Sequence, residues 1–199
     1  MELIIIAGMP ATGKSTLAKK LSAAFGLPIL EKDEIKEAMF DTLGYADVPA
    51  KRQLDVVANA VLLRMTESLL KAEKSLIVVN NFYSNMSGEV QELIDRYRCR
   101  CVTVFLTGDP DVLYARYVER DKKHLRHLGH TFIDRYPPKP GDVVGKSMTR
   151  EYFNDRFLAS GMADFRLNGA RVELDATDPA RIDTDALIRH IRELWEKRV

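Results

Sequence analysis

The stretch GMPATGKST at residues 8–16 directly follows the apolar run LIIIA at residues 3–7. It matches the pattern G-x-x-x-x-G-K-[ST], a glycine-rich loop whose backbone binds nucleotide phosphates. An apolar strand precedes the match and a helical pattern follows it, which is the context that the motif requires. An ordinary strand–turn–helix corner with an exposed lysine is the alternative, and this context disfavours it. The stretch therefore predicts a phosphate-binding loop.

The residues of this loop have separate predicted roles. Gly8 and Gly13 allow backbone geometries that turn successive N–H groups toward phosphate oxygens, at the positive end of the next helix. Lys14 is predicted to reach the β- and γ-phosphates and to be catalytic, and the Ser15 hydroxyl to bind Mg²⁺. The predicted nucleotide-binding residues of the loop are Gly8, Ala11, Thr12, Gly13, Lys14, Ser15 and Thr16.

The composition predicts one globular domain over residues 1–199. The chain is 46% hydrophobic, and its 30 Lys and Arg nearly cancel its 29 Asp and Glu. No bulk electrostatic attraction to nucleic acid or to an anionic membrane is therefore expected. The apolar start at residues 1–7 is too short for a signal sequence or a membrane span. Cys99 and Cys101 have a spacing that suits neither a disulfide nor zinc, so we expect free thiols in the cytoplasm.

Apolar runs alternate with helical periods along the chain, which predicts an α/β fold with a parallel sheet. The predicted strands are residues 3–7, 27–30, 75–80, 101–107 and 171–176. The predicted helices are residues 14–25, 33–43, 50–72, 110–120 and 182–195. Residues 121–146 have no clean period but contain six Lys and Arg and the run PPKPG. We expect this segment, called the flap below, to be a mobile lid outside the sheet.

The sequence favours phosphoryl transfer to a bound acceptor over other uses of a phosphate loop. A switch-type GTPase would carry an N-K-x-D box, and none of the asparagines starts one. A ring-forming motor ATPase would end a strand in two acids, whereas the third predicted strand ends in Val78-Val79-Asn80-Asn81. The absence of these GTPase and motor ATPase signatures, together with the basic flap, predicts a kinase.

Asp33 is the predicted general base, because an acceptor hydroxyl must lose its proton as it attacks phosphorus. It follows the second strand, at the sheet edge where α/β proteins bind ligands. The alternative role for Asp33 is a helix N-cap, which is compatible with catalysis. Lys36 lies one turn further along the helix and is predicted to bind an anionic group of the acceptor, with a solvated surface lysine as the alternative.

Basic residues near the flap are predicted to contact phosphate. Arg116 and Arg120 lie four residues apart on one helix face, and a lid arginine can stabilise the transferring phosphoryl group. Arg120 is the predicted catalytic arginine, Arg116 a nucleotide contact and Arg126 a second candidate that contacts the substrate. Two solvated arginines near Glu119 and Asp121 are the alternative.

Two further groups of residues are ambiguous in the sequence. His124, His127 and His130 recur at three-residue steps, but without a supporting Cys they are expected to contact phosphate or solvent rather than zinc. Phe82 and Tyr83 follow the third strand and would either stack on the acceptor or pack in the core.

Four motifs together resemble a known family. They are G-x-x-x-x-G-K-S-T-L-A, K-D-x-I-K-x-x-x-F, an N-F pair after the third strand, and D-P-x-x-x-x-x-R-x-x-x-R. This combination is similar to the small P-loop kinases grouped with the kinase domain of phage-type polynucleotide kinase, with zeta toxins, chloramphenicol phosphotransferase and gluconate kinase as more distant relatives. The similarity covers about residues 1–135, and RHLGH at residues 126–130 resembles the R-H-P-G-H run of the small kinases.

The resemblance implies a P-loop NTPase three-layer sandwich with strand order 2-3-1-4-5 that uses ATP and Mg²⁺. It implies that Asp33 is the base and Arg120 the transition-state arginine. Lys36 stands where the polynucleotide kinases have a phosphate-binding arginine, and Val79 stands where the family often has an acid. Asn81, at the end of the third strand, is expected to contact the acceptor.

The acceptor is left open by the sequence, as a small metabolite or a polynucleotide 5′-hydroxyl. A nucleotide-dependent binding or regulatory ATPase with slow hydrolysis is the alternative function, and Val79 in place of an acid supports it. A metal-binding regulator is a weaker alternative. We expect a monomer or homodimer with no membrane association and no obligate protein partner.

Overall fold

The first strand, β1 (Glu2–Gly8), lies at the centre of a five-stranded parallel sheet. This computed structural model describes residues 1–144 and 146–196, so Gly145 of the predicted flap and residues 197–199 of the predicted domain lie outside the described residues. The strand order is β2-β3-β1-β4-β5. The other strands are β2 (Ile29–Glu31), β3 (Leu76–Val79), β4 (Arg100–Thr107) and β5 (Ala170–Asp175).

Helices connect the strands and cover both faces of the sheet. They are α1 (Lys14–Phe25), α2 (Lys32–Leu43), α3 (Val48–Lys71), α4 (Ser87–Tyr97), α5 (Pro110–Lys122), α6 (Arg150–Phe153) and α7 (Thr184–Glu196). After α6 the chain continues as a π-helical turn over Asn154–Leu158.

The apolar run of β1 explains why the sheet is covered on both faces. Successive side chains of a strand point to opposite faces, so an uninterrupted apolar run needs a core on each side. Leu3 and Ile5 pack in the core that α3 and α4 cover. Ile4 and Ile6 pack in the core that α1 and α7 cover. The result is the predicted three-layer α/β sandwich, and the strand order implied by the resemblance is confirmed.

Two helical segments were missed by the sequence analysis. Helix α4 is one of them, although its buried residues Val90, Leu93 and Ile94 recur at helical spacing. The segment 150–158 is the other. Its π-helical turn over Asn154–Leu158 departs from the period of 3.6 residues, so a periodicity argument does not detect it.

The junction of β2 and α2 differs from the prediction. The strand extends to Glu31 and the helix begins at Lys32, so no loop separates the two elements. Asp33 therefore lies in the first turn of α2, and its alternative role as the N-cap of this helix is excluded. Glu31 occupies the N-cap position, but its side chain makes no capping hydrogen bond.

The flap lies outside the sheet, as predicted, and docks on α2. It contains a short 3₁₀ helix, Leu128–His130, and its Tyr136 forms an isolated antiparallel bridge with Tyr45. The Tyr45 hydroxyl donates a hydrogen bond of 3.1 Å to the Gly129 carbonyl. Phe40 of α2, Tyr45 and Ile133 form the small apolar cluster beneath the flap. The flap is thus held by packing as well as by backbone hydrogen bonds.

Both cysteines are free thiols, as predicted. Burial raises the pKa of Cys101 to about 12, so this thiol stays protonated near neutral pH. Among the helices of the described residues, none has an apolar stretch long enough to cross a bilayer.

Replacing Gly129 with alanine is expected to destabilise the docked flap. A Cβ atom at this position would lie 2.8 Å from Cγ and 2.9 Å from Cε2 of the buried Phe40 ring. Because overpacking of this kind costs about 1–3 kcal/mol, the free energy of unfolding measured in urea should fall by that amount. Gly88→Ala is the matched control, since nothing lies within 4 Å of its Cβ position in α4. The control should be neutral or stabilising by about 0.5–1 kcal/mol, and equal losses in both variants would contradict the packing argument.

Candidate active site

The glycine loop after β1 presents a set of unpaired backbone donors. Ala11 and Gly13 have φ angles of 62° and 87°, which turn the chain tightly between β1 and α1. Within the described part of the chain, the N–H groups of residues 11–16 donate no hydrogen bond to the protein. They surround the N-terminus of α1, where the helix dipole favours negative charge. The donor set therefore fits phosphate oxygens.

Gly8 is required at the end of β1 by a close approach to β4. Its φ angle is 118°, and a Cβ atom there would collide with the carbonyl group of Leu106. The Gly8 N–H donates to the Asn81 carbonyl at 3.2 Å, and the Met9 N–H donates to the Leu106 carbonyl at 3.0 Å. The loop is thereby fixed to the ends of both neighbouring strands.

Lys14 folds back over the loop. Its Nζ donates hydrogen bonds to the carbonyl groups of Gly8 at 2.9 Å and Met9 at 2.7 Å. Burial lowers the pKa of Lys14 to about 8, although the carboxylates of Asp33 and Glu31 act in the opposite direction. Phosphate oxygens would stabilise the charged ammonium, so this lysine fits its predicted role.

The Ser15 hydroxyl donates a hydrogen bond to Oε1 of Glu31. Burial raises the pKa of Glu31, and the hydrogen bond from Ser15 only partly offsets that effect. A divalent cation at the pair would favour the ionised carboxylate, and hydroxyl and carboxylate oxygens are the ligands that Mg²⁺ prefers. Glu31 was not predicted, because the family pattern places the acid at the position of Val79, on the adjacent strand.

Asp33 faces the cleft from the first turn of α2. Its side chain is 58% exposed, and it lines a cleft of about 500 Å³ together with the phosphate loop. Partial burial alone would raise the pKa of Asp33, but Lys32, Lys36 and Lys14 outweigh it and hold the pKa at about 2. The carboxylate is therefore ionised at every physiological pH.

Two lysines of α2 share one carboxylate of α3. Asp55 Oδ1 accepts hydrogen bonds from Lys32 Nζ at 2.9 Å and from Lys36 Nζ at 2.7 Å. Both lysine residues are buried, and their charges hold the pKa of Asp55 far below its usual range although its own burial opposes this. Lys36 lines the cleft, as expected of an acceptor contact, but its charge is already compensated.

Arg120 and Arg126 both line the cleft but have different surroundings. Arg126 has a side chain that is only 13% exposed, lies over the Tyr117 ring at 4.6 Å and pairs with Asp121 at 3.4 Å. Arg120 forms no salt bridge with any described residue. Burial and the charge of Arg126 lower its pKa, and the Asp33 carboxylate opposes this. Arg120 is the arginine of this pair whose charge remains available to a ligand.

Arg116 lies on α5 but outside the set of described residues that line the cleft. Its guanidinium group donates to the carbonyl groups of Ala176 and Thr177, directly after β5. It therefore fastens α5 to the chain after the edge strand. Its predicted contact with nucleotide stays a prediction.

The residues after β3 divide between the cleft and the core. Asn81 and Tyr83 line the cleft, as expected of Asn81. Phe82 is fully buried and stacks on Phe165 with ring centroids 4.8 Å apart, so it is a packing residue. Asn80 is buried and donates to the side-chain oxygen of Asn59 at 2.9 Å.

Two of the three histidines attach the flap to α2, and their predicted contact with phosphate or solvent stays a prediction. His127 Nε2 lies 3.0 Å from Asp41, and His130 Nε2 lies 3.1 Å from Glu37. Burial lowers the pKa of His130 although Glu37 opposes this, so the imidazole is neutral near neutral pH. Within the described residues, no group of three potential ligands could hold a metal ion.

The sheet order, the phosphate loop and the cleft at the carboxyl edge of β1, β2 and β3 define a nucleotide-binding fold of the P-loop kinase type. Residues 3–130 match the AAA domain family, and the chain belongs to that family.

Solved structures agree with this class. A provisionally assigned kinase from Chloroflexus aurantiacus is similar at 28% identity and a TM-score of 0.80, over 96% of this chain and 97% of that one. A gluconokinase from Sinorhizobium meliloti 1021 matches at 14% identity and a TM-score of 0.52, over 97% and 90%. A shikimate kinase from Bacteroides thetaiotaomicron matches at 18% identity and a TM-score of 0.51, over 98% of each chain. The last two likenesses concern the fold alone.

Removing the Asp55 carboxylate is expected to destabilise the protein strongly. Asp55→Asn leaves Lys36 buried without its ion-pair partner and leaves Lys32 with only Asp33, at 3.7 Å, and breaking a buried ion pair costs about 3–5 kcal/mol. Denaturant unfolding near neutral pH measures this loss. Asp111→Asn, which removes an 87% exposed partner of Arg150, is the control and should change stability little.

The pH dependence gives a second readout of the same variant. The pKa of Asp55 is lower in the folded than in the unfolded chain, so its contribution is complete above the unfolded value of about 3.9 and is lost as the pH falls. The stability difference between wild type and Asp55→Asn should therefore shrink in acid. A constant difference would show that the carboxylate charge is not responsible.

Proposed function

We propose that the protein is an ATP-dependent kinase that transfers the γ-phosphate to a hydroxyl group of a bound acceptor. The observation that carries the proposal is the placement of Asp33. Its ionised carboxylate faces the same cleft as the unpaired N–H groups of residues 11–16 and the side chain of Arg120. A base, a phosphate cradle and an available cation around one cleft are the parts that phosphoryl transfer needs.

The loop and Lys14 would hold the β- and γ-phosphates. Ser15 and Glu31 would hold Mg²⁺, which neutralises charge on the phosphates when it is bound. Glu31 supports this proposal in a way that the sequence did not, because it supplies the acid that is absent at Val79. The support that Val79 gave to a purely regulatory ATPase is weakened accordingly.

Asp33 would orient the acceptor hydroxyl and accept its proton. A new bond forms between the acceptor oxygen and the γ-phosphorus, the bond from the γ-phosphorus to the β–γ bridging oxygen breaks, and ADP leaves. A carboxylate with a pKa of about 2 is a weak base. In a loose transition state the hydroxyl proton is lost late, so orientation matters more than basicity. Arg120 would stabilise the charge on the transferring group.

Asp33→Asn tests this assignment. General-base catalysis contributes roughly 10²–10⁴-fold, so transfer from Mg-ATP to an acceptor should fall by that factor. ATP affinity should be nearly unchanged, because the described ion pair of Asp33 is with Lys32 and not with a residue of the phosphate loop. Glu34→Gln is the matched control, since this neighbouring exposed acid does not line the cleft.

The screen for an acceptor uses ADP formation with hydroxylated metabolites and with a short 5′-hydroxyl oligonucleotide. Stimulation that disappears in Asp33→Asn supports the kinase and identifies the acceptor class. Tight ATP binding without transfer to any hydroxyl would favour the nucleotide-dependent regulatory protein instead.

Glu31→Gln is expected to raise the Mg²⁺ concentration needed for the half-maximal rate. The neutral amide keeps the shape of the side chain but lacks the charge that attracts the cation. A titration of activity against Mg²⁺ at saturating ATP measures the shift. An unchanged Mg²⁺ requirement would exclude Glu31 from the metal site.

A further inference from the structure

The cleft has an excess of positive charge on the side away from the phosphate loop. In total eight Lys and Arg and five Asp and Glu line it, although the whole chain has a net charge of only +1. Lys14, Arg120 and Glu31 belong to the nucleotide side, whereas Asp33 pairs with Lys32 at 3.7 Å. The remaining six cations outnumber the remaining four acids, so this part of the lining carries an excess of positive charge.

Asp55 cannot neutralise this region by itself. It already accepts hydrogen bonds from Lys32 and Lys36, and Arg156 reaches it only at 3.9 Å. Arg156 comes from the π-helical turn after α6 and is 36% exposed in the cleft. One carboxylate thus serves three cations, and Arg156 is the farthest of them from it.

Lys51 is a further cation of this part of the cleft. Its Nζ donates to the Thr131 carbonyl at 2.8 Å and lies 5.3 Å from the centre of the Tyr45 ring. Among the residues that the structure describes, no carboxylate forms a salt bridge with it. Burial, reinforced by the charges of Lys36, Arg126 and Arg156, lowers the pKa of Lys51 to about 7. An anion beside Lys51 would relieve this repulsion.

Resting on the proposed kinase function, we propose that the acceptor is a small hydroxylated compound with an anionic group, a carboxylate or a phosphate, that Lys51 and Arg156 bind. Its hydroxyl would then lie toward Asp33. The volume of about 500 Å³ is in the range of small-molecule sites. Flap residues 131–134 and the aromatic residues Tyr152 and Phe157 line the same cleft. The proposal adds Lys51 and Arg156 to Lys36, whose predicted contact with an anionic group stays a prediction.

The first test is a binding measurement with the phosphate loop occupied. Protein saturated with Mg²⁺ and a non-hydrolysable ATP analogue is titrated with matched pairs, glycerol against glycerate and ribose against ribose 5-phosphate, at constant ionic strength. The anionic member of at least one pair should raise the unfolding midpoint while its neutral partner does not. Equal shifts within every pair, or no shift with any anion, would overturn the proposal.

Variants of Lys51 connect that binding to the residue. Lys51→Met should weaken the anion by about tenfold or more, because a charged hydrogen bond is lost. Lys51→Arg keeps the positive charge and should retain binding. Arg64→Gln, 85% exposed on the same helix, is the matched control and should bind like wild type. An affinity that is unchanged in Lys51→Met would overturn the assignment even if the protein binds anions.

The two proposals fail in different ways. Phosphoryl transfer to neutral and anionic hydroxyl compounds alike would contradict the anion site. If Asp33→Asn abolishes that transfer and Lys51→Met does not, the kinase proposal is still supported. Anion binding that depends on Lys51, without transfer to any hydroxyl, would support the site and contradict the kinase. A clear preference for the 5′-hydroxyl oligonucleotide would overturn the small-molecule acceptor.

Discussion

The direct junction between β2 and α2 is the constraint on which the site depends. Because Glu31 ends the strand and Lys32 begins the helix, no flexible loop separates the two carboxylates of this segment. The strand pairing fixes Glu31 beside Ser15, and the first helical turn fixes Asp33 on the cleft. The two acids therefore have different environments, with opposite effects on their pKa values. Burial raises the pKa of Glu31, and surrounding cations lower that of Asp33.

The contact between α2 and α3 also fixes the positions of the charged residues of the site. Asp55 of α3 binds two lysines of α2, so the helix that presents Asp33 is tied to the helix that presents Lys51. Buried ion pairs contribute little net stability compared with apolar residues of similar size. Their value here lies in geometry, because they keep the predicted base and the proposed anion site at a fixed relative position.

The sequence predicts the parts of this structure that depend on local pattern. The phosphate loop is recognisable because consecutive N–H groups at a helix N-terminus need glycines at fixed spacing. Asp33 is recognisable because it begins a helical pattern shortly after the second predicted strand. Glu31 could have been predicted in the same way, because it lies two residues before Asp33. Asp55, Lys51 and Arg156 were not, because they meet through contacts between α2, α3 and the segment after α6. Arg116 shows the limit of helix-face arguments. It shares a face with Arg120, yet its side chain holds the carbonyl groups after β5.

Helix α2 carries both the predicted base and the surface on which the flap rests. Asp33 lies in its first turn, and Glu37, Phe40 and Asp41 contact the flap within the next two turns. A bound compound too large to fit beneath the docked flap would therefore separate Leu128–His130 from this helix. Under the proposed function, the same helix would position the acceptor hydroxyl and, through its contacts with the flap, would limit the size of the acceptor.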